Sequence, residues 1–418
     1  MRHVRLVAAA AVLLFALAIL VGCGGGTTAE KSPDEPAKQQ PSEEPEGQAK
    51  KSDANEATQT ELNEQETPPA EESGTPQPES DSTANEGPVE VETTVLTQGL
   101  EAPWGLAFLP DGDALVTERD TGRLLRVDSS GDIEEIQTLP EGGSGEGGLL
   151  GLAVSPDYES DEFVYAYYTT PTDNRVVRFR LGEEPEPILT GIPVASFHNG
   201  GRIAFGPDGL LYVGTGDAGQ RPSSQDTNSL AGKILRLTPD GGVPSDNPLG
   251  SNNPLYSYGH RNVQGLAWDA NGQLFASEFG QNTFDEVNRI EPGGNYGWPP
   301  VEGEGGASQG YVDPIATVTP TSQLSPSGAE ILKSGAIPQW EGSFFTAGLR
   351  GQRLLRLTLD ENGAVVERET LLQGEAGRLR HVAQAPDGSL WILTNNRDGR
   401  GSPIQQDDRI LRLAPAGA

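Results

Sequence analysis

Short apolar runs separated by tight turns dominate the chain from about residue 91 onward. In 203–214, apolar side chains occupy alternate positions on both sides of a Gly-Pro-Asp-Gly turn at 206–209. This alternation around a Pro-Asp-Gly turn predicts an antiparallel hairpin. Helical periodicity is weak, whereas glycine (54) and proline (33) are abundant. The pattern therefore favours an all-β chain.

One unit repeats six times: two strands joined by such a turn, followed by a strand with an arginine-apolar pattern. The arginine-bearing strands fall at 123–127, 176–179, 234–237, 287–290, 354–357 and 410–413. Residues 91–418 divide into six units of about 55 residues, enough for four short strands each. We predict a six-bladed β-propeller of four-stranded antiparallel blades, because radial closure leaves few exposed edges. A β-helix has a shorter repeat, and a β-sandwich a less regular one.

Propellers bind ligands on loops at one mouth of the central channel, so long polar loops indicate the functional face. The longest are 215–232, 238–264, 280–285 and 294–327. After residue 23 only three histidines remain, His198, His260 and His381. We expect each to lie in a loop beside arginine or glycine, and not inside a strand.

The hairpin at 203–214 is preceded by His198 and followed by Asp217. A hairpin brings its ends together, so these two side chains are expected to meet. A histidine held by a carboxylate is the usual form of a general base. From these residues alone, a loop histidine and a turn aspartate without a catalytic role remain the alternative.

The N-terminal 23 residues have the features of an export signal. Arg2 and Arg5 precede an apolar run at 6–21, which is short for a membrane span. The run ends in Leu-Val-Gly-Cys and resembles a bacterial lipoprotein signal, in which Cys23 becomes the lipid-modified first residue. A plain signal peptide is the alternative. Cys23 is the only cysteine, so no disulfide is expected.

Residues 24–90 contain no aromatic residue, 17 Asp or Glu and 4 Lys. Such a segment buries too little apolar surface to offset the entropy of ordering, so we predict an acidic disordered linker before the propeller at 91–418. The full chain has a net charge of −32, which argues against a nucleic-acid partner. The protein is expected to be exported and held at the extracytoplasmic face of the membrane through its lipid alone.

Two further groups of residues carry candidate chemistry. Arg261, Arg350, Arg378 and Arg380 fall in predicted loops, and in an acidic chain they suggest an anion-binding pocket. Surface ion pairs are the alternative for each. The segment 280–298 offers carboxylate and carbonyl oxygens in tight turns, which suit Ca²⁺. Ordinary turn chemistry is the alternative there.

Together these segments resemble the soluble glucose/sorbosone dehydrogenase family over about residues 95–415. The most specific pieces are H-N-G-G-R followed by G-D, Y-G-H-R-N-V-Q-G-L-A, S-E-F-G-Q-N followed by D-E-V-N, and G-G-N-Y-G-W-P. The resemblance implies a six-bladed propeller that uses pyrroloquinoline quinone (PQQ) and Ca²⁺. It further implies oxidation of the C1 hydroxyl of aldose sugars to lactones by hydride transfer to PQQ, with electrons passed to an external acceptor.

By this resemblance, His198 is the base that removes the substrate hydroxyl proton, and Asp217 orients its imidazole. Arg261 faces the quinone oxygen as charge develops there. The other residues that the resemblance places at PQQ are Asn262, Thr321, Arg350, Arg378 and Arg380.

The resemblance also implies a calcium held by the main-chain carbonyls of Gly280 and Gln281, and a second, structural calcium at Glu286 and Tyr296. Glu146 departs from a glutamine that is frequent in the family next to substrate and cofactor, so the identity of the sugar stays open. Two other functions remain alternatives. One is a Ca²⁺-dependent hydrolase of the lactonase type, and the other is a non-catalytic propeller that binds envelope glycans or proteins.

Overall fold

The computed structural model describes residues 88–140 and 142–417. The predicted signal segment with Cys23, and all of the predicted linker except 88–90, lie outside these residues. Among these described residues, no helix is long and apolar enough to cross a membrane. The described strands form six separate four-stranded antiparallel sheets, which confirms the predicted six-bladed propeller.

The N-terminal strand β1 (Val91–Gln98) precedes the first complete blade. Blade 1 comprises β2 (Pro103–Phe108), β3 (Ala114–Glu118), β4 (Arg123–Val127) and β5 (Ile133–Thr138). Blade 2 comprises β6 (Leu149–Val154), β7 (Val164–Thr169), β8 (Asn174–Phe179) and β9 (Glu186–Ile192). Blade 3 comprises β10 (Ile203–Phe205), β11 (Leu211–Gly214), β12 (Lys233–Leu237) and β13 (Leu255–Tyr258).

The remaining blades follow the same order from the channel outward. Blade 4 comprises β14 (Val263–Trp268), β15 (Leu274–Glu278), β16 (Asp285–Arg289) and β17 (Ala316–Val318). Blade 5 comprises β18 (Pro326–Ile331), β19 (Phe344–Gly348), β20 (Arg353–Leu359) and β21 (Val365–Leu371). Blade 6 comprises β22 (Leu379–Gln384), β23 (Leu390–Thr394) and β24 (Arg409–Pro415), with β1 as its fourth strand. Helical structure is confined to α1 (Tyr158–Asp161) and to 3₁₀ turns at Arg221–Ser224, Ala307–Gln309, Thr321–Gln323 and Pro338–Trp340.

The ring closes through β1, which forms the outer strand of blade 6. It pairs antiparallel with β24, from Val91 opposite Pro415 to Gln98 opposite Arg409. The first and last strands are thereby hydrogen-bonded to each other, and the backbone N–H and C=O groups along the outer edge of β24 have partners. The sequence repeat predicts six units, but it does not predict that the N-terminal strand supplies the outer strand of the last blade.

Apolar side chains fill the spaces between neighbouring blades. One such cluster combines Trp104 of blade 1, Leu150 and Tyr167 of blade 2, and Ile203 and Val213 of blade 3, each at most 2% exposed. Strands buried on both faces explain the nearly continuous apolar runs in β7 and β23.

His381 corrects one prediction, because it lies inside β22 and is buried. In four other blades the matching position of the inner strand is glycine: Gly105, Gly151, Gly265 and Gly328. A side chain on Gly328 would collide with the His381 ring. A Cβ on Gly105, Gly151 or Gly265 would collide with a neighbouring backbone segment, so glycine allows these inner strands to pack closely. His381 lies with its Nε2 3.2 Å from the carbonyl of Leu106.

The predicted loop 238–264 is also wrong as a single loop. Residues 255–258 form β13, and 238–254 connect β12 to β13 without lining the central cavity described below. The predicted loop 294–327 is likewise wrong as a single loop, because it contains β17 and the start of β18. The segments 215–232, 280–285 and 294–327 each contain residues that line this cavity or contact residues that do.

Candidate active site

A central cavity of about 430 Å³ opens where the inner strands begin. The second residues of β2, β14 and β22, which are Trp104, Gln264 and Arg380, lie in its wall. The sequence-predicted residues in the wall are Glu146, His198, Arg261, Asn262, Gly280, Gln281, Thr321, Arg350, Arg378 and Arg380. The propeller thus brings ten separately predicted residues from five blades to one cavity.

His198 lies between β9 and β10 with a backbone φ of 56°. This left-handed conformation is uncommon for a residue with a side chain and costs about 1 kcal/mol or more, so it persists only where neighbours hold the backbone in place. Two contacts do so: the His198 N–H donates to Glu146 Oε2 at 2.9 Å, and its carbonyl accepts from the Ala218 N–H at 3.1 Å.

Asp217 lies directly behind His198 and is fully buried. His198 Nδ1 and Asp217 Oδ1 are 2.7 Å apart, as the sequence predicted. The carboxylate also accepts from the Gly219 N–H at 2.8 Å and from Trp298 Nε1 at 2.9 Å. Burial acts to raise the pKa of Asp217, but His198 and these donors outweigh it and hold the pKa below its usual range. An ionised Asp217 fixes the imidazole so that Nε2 is available to the cavity.

Glu146 joins the backbone of His198 to the side chain of Arg400. Its Oε1 accepts from Arg400 Nη1 at 2.7 Å, while its Oε2 holds the His198 backbone. Burial acts to raise the pKa of Glu146, but the His198 N–H and the Arg400 guanidinium outweigh it and hold the pKa below its ordinary value. Glu146 N–H also donates to the Ser196 carbonyl at 2.9 Å. The residue therefore clamps the segment that presents His198.

The predicted arginines differ in how their charges are balanced. Arg378 forms an ion pair with buried Asp398, in which Nη2 and Nε both donate to Oδ2, at 2.7 and 3.0 Å. Arg380 is fully enclosed and bonds Asn395 and Gln264, and burial lowers its pKa to about 9 although Asp398 opposes this. Arg350 is exposed and makes no hydrogen bond within the described residues. The buried Asp398 carboxylate therefore faces two guanidinium groups, those of Arg378 at 2.7 Å and Arg380 at 3.8 Å.

Arg261, which shares the cavity wall with His198, is held by hydrogen bonds to Glu278 and Phe279. Its backbone N–H donates to Glu278, and its Nη1 donates to the Phe279 carbonyl at 3.0 Å. Its Nε is buried and has no partner among the described residues. Burial lowers the pKa of Arg261, against the raising effect of Asp217 and Glu278. This buried donor at the cavity wall is therefore left available to a polar ligand.

His260, the third histidine, lies in the predicted loop but serves the structure. Its Nδ1 is 2.8 Å from Glu278 Oε2 and its Nε2 is 2.8 Å from Ser257 Oγ, so both ring nitrogens are used. Its ring stacks on Tyr296 at 4.6 Å. Because Glu278 in turn accepts from the backbone of Arg261 and Asn262, His260 supports the segment that places these two residues.

Glu286 and Tyr296 do not reach the central cavity. With Glu278 and Glu302 they line a smaller one behind Gly280. Burial first, and Glu278 second, raise the pKa of Glu286 to about 8. Tyr296 uses its hydroxyl to donate to the Arg289 carbonyl at 2.7 Å, so its main-chain oxygen is the atom left for a ligand. In the described part of the chain no group of three or more His, Cys, Asp or Glu is arranged as a metal site.

Several wall residues escaped sequence reasoning. Arg119 and Asp398 are neighbours across 279 positions, since Arg119 Nη2 donates to the Asp398 carbonyl at 3.2 Å. Trp104, Gln264 and Arg400 also line the cavity. Arg119 directly follows a second strand of the repeat, and aligning the six units would have placed it at this mouth. Nothing in the sequence indicates the Asp398–Arg378 pair.

Comparison with known proteins decides the family. The model of the glucose/sorbosone dehydrogenase family matches residues 100–411. The chain belongs to this family. A solved structure of the PQQ-bound aldose sugar dehydrogenase of Streptomyces coelicolor is 50% identical, with a TM-score of 0.72, and the match covers 78% of this chain and 99% of that one.

Two curated members are more distant. Quinoprotein glucose dehydrogenase B of Acinetobacter calcoaceticus is 29% identical over 417 residues, covering 75% of this chain and 86% of the relative. The aldose sugar dehydrogenase of Escherichia coli is 29% identical over 348 residues, covering 75% and 92%. The family resemblance drawn from the sequence motifs is therefore confirmed.

Proposed function

We propose that the protein is a quinoprotein dehydrogenase that oxidises the C1 hydroxyl of aldose sugars to lactones with PQQ and Ca²⁺. The observation that carries the proposal is a histidine fixed by a buried carboxylate at the wall of an arginine-rich cavity. Family membership favours this function over a lactonase or a binding propeller. The relatives named above are quinoprotein or aldose sugar dehydrogenases.

The donor set of the cavity fits PQQ, a planar quinone with three carboxylates. Planar guanidinium groups suit carboxylates bidentately, and the unpartnered Nε of Arg261 offers a donor that the protein itself does not satisfy. The residues that would hold the cofactor are Arg261, Asn262, Thr321, Arg350, Arg378 and Arg380. Glu146 would border it through its contact with His198.

Calcium fits the neighbouring turn on the same grounds. Gly280 and Gln281 line the cavity, and their carbonyl oxygens accept no hydrogen bond from other described residues. A side chain on Gly280 would collide with the Phe284 carbonyl, so the turn requires glycine. These carbonyls would hold an active-site Ca²⁺, and Glu286 with the main-chain oxygen of Tyr296 would hold a structural one.

His198 would perform the proton transfer. Asp217 keeps Nδ1 protonated, which leaves the Nε2 lone pair to accept the proton of the sugar C1 hydroxyl. The buried carboxylate then stabilises the imidazolium that results. Arg261 supplies positive charge at the same end of the cavity, where it would stabilise developing negative charge. When bound, PQQ supplies a two-electron acceptor for the hydride from C1.

The surroundings of the enzyme are part of the proposal. We propose that the sugar is a small soluble substrate, that an external acceptor reoxidises the enzyme, and that Cys23 carries a lipid on the extracytoplasmic face of the membrane. Mass spectrometry of the mature N-terminus tests the last point: a diacylglyceryl Cys23 supports it, and an unmodified N-terminus contradicts it.

Reconstitution tests the activity. Apoprotein loaded with PQQ and CaCl₂ is expected to oxidise glucose in a dye-linked assay. His198→Ala is expected to bind PQQ but to lose about 10²–10⁴-fold in kcat, because a positioned general base contributes that much. Asp217→Asn is expected to fall in the same direction. Failure of the loaded wild-type protein to oxidise any aldose, with PQQ binding demonstrated, would contradict the proposal.

A further inference from the structure

An outer cavity of about 320 Å³ lies beside the base and shares His198, Arg261 and Gln281 with the central cavity. Its other walls include Phe197, Arg221 and Asn282. None of these three lines the central cavity. The imidazole therefore stands between the space assigned above to the cofactor and a second space that has no role yet.

Phe197 gives this space a fixed aromatic wall. The side chain is 43% exposed, which few large apolar residues in the described chain are. It is nevertheless held in place, edge-on to His198 with the ring centroids 4.7 Å apart. Its ring packs against Gly219, where a Cβ would come within 2.9 Å of it. Phe197 therefore offers a packed aromatic surface to the outer cavity.

Arg221 adds a positive charge without a partner. It stacks over Trp298, with its guanidinium carbon 5.5 Å from the ring centroid. Among the arginine side chains of the described residues, only those of Arg221, Arg350 and Arg353 make neither a hydrogen bond nor an ion pair within that part of the protein. In a chain of net charge −32, carboxylates are plentiful. The carboxylate that also lines this cavity, Asp217, is already bonded by His198, Gly219 and Trp298. The guanidinium of Arg221 is therefore the charge in this wall that is left for an anionic ligand.

We propose that the outer cavity is a second sugar subsite that takes a carboxylate-bearing sugar unit, with Phe197 against its ring and Arg221 paired with its carboxylate. The inference rests on the proposed function, since it places the unit next to the sugar whose C1 hydroxyl meets His198. The preferred substrate is then an acidic disaccharide whose non-reducing unit is a uronic acid. Asn282 supplies an amide at the same rim for a sugar hydroxyl.

The test compares three sugars on the PQQ- and Ca²⁺-loaded enzyme: glucose, cellobiose and cellobiouronic acid. The last two differ by one carboxylate. We expect kcat/KM for cellobiouronic acid to exceed that for cellobiose by about three- to ten-fold at low salt, the range for one charge-assisted pair at a partly exposed site. Arg221→Gln is expected to remove this ratio and to leave glucose turnover and PQQ affinity within about two-fold.

Phe197→Ala is expected to weaken both disaccharides and to affect glucose least. Arg180→Gln is the matched control, because Arg180 is also a partly exposed arginine stacked on an aromatic ring, Phe163 at 4.5 Å, on the outside of blade 2. That control should leave all three sugars unchanged. A loss of PQQ affinity in Arg221→Gln would show that the arginine serves the cofactor and would overturn the subsite.

Calorimetric binding of cellobiouronic acid separates this inference from the proposed function. Binding that depends on Arg221, in a protein that oxidises no sugar, would support the subsite and contradict the oxidation. Oxidation of glucose and cellobiose with no preference for the acidic disaccharide would overturn the subsite alone.

Discussion

His198 depends on two carboxylates that the sequence separates from it by 52 and 19 positions. Asp217 fixes its ring, and Glu146 fixes its backbone. The pairing with Asp217 could be predicted because a short hairpin brings both ends together. The contact with Glu146 could not, because it joins the connections before β6 and before β10 and is set by how blades 2 and 3 pack.

Substitution of Glu146 tests this second role. Glu146→Ala removes the acceptor for the His198 N–H, and we expect kcat to fall by about ten-fold, the value of one charge-assisted hydrogen bond at a partly buried site. Glu146→Gln is expected to fall less, because an amide oxygen can still accept from His198. Glu134→Ala, an exposed acidic residue on β5, is the control.

The pH dependence gives Glu146 an independent readout. Because its pKa is lowered in the fold, its contacts persist above the ordinary carboxyl pKa and are lost only as pH falls through the lowered value. Activity that fell off on the acid side at the same pH in wild type and Glu146→Gln would show that Glu146 titration plays no part.

At the level of the elements, the inner strands determine which residues reach the cavity. Trp104, Gln264 and Arg380 occupy the second position of their strands, so the repeat register decides their direction. The six repeats were readable from the apolar pattern. The segment R-L-R-H at 378–381 predicts a loop for Arg380 and His381, whereas both lie in β22, where His381 packs against Gly328.

The closing strand β1 is the element whose loss should affect stability most. A chain that begins at residue 99 lacks β1 and leaves β24 as an unpaired edge. We expect its melting temperature to fall by about 10 °C or more, since losing several kcal/mol shifts a domain of this size by that order. Differential scanning calorimetry measures it, and a chain that begins at residue 88 is the control. Equal melting temperatures would show that β1 does not hold the ring closed.

For the whole molecule, the propeller converts scattered residues into one site. Residues from the connections of five blades meet at the central cavity, and an acidic chain thereby presents a basic interior. The family motifs predicted most of these residues, because each motif lies at the same end of a blade. The ion pairs that orient the arginines, such as Arg378 with Asp398, depend on side-chain packing and carry no sequence pattern.

Reduction of bound PQQ by glucose in a single anaerobic turnover tests the central claim most directly. In the wild-type protein loaded with PQQ and Ca²⁺, the quinone absorbance is expected to change as soon as glucose is mixed in. With His198→Ala, the same amount of PQQ is expected to bind and to be reduced about 10²–10⁴-fold more slowly. Equal reduction rates in the two proteins, or no PQQ bound to the wild type, would contradict the account.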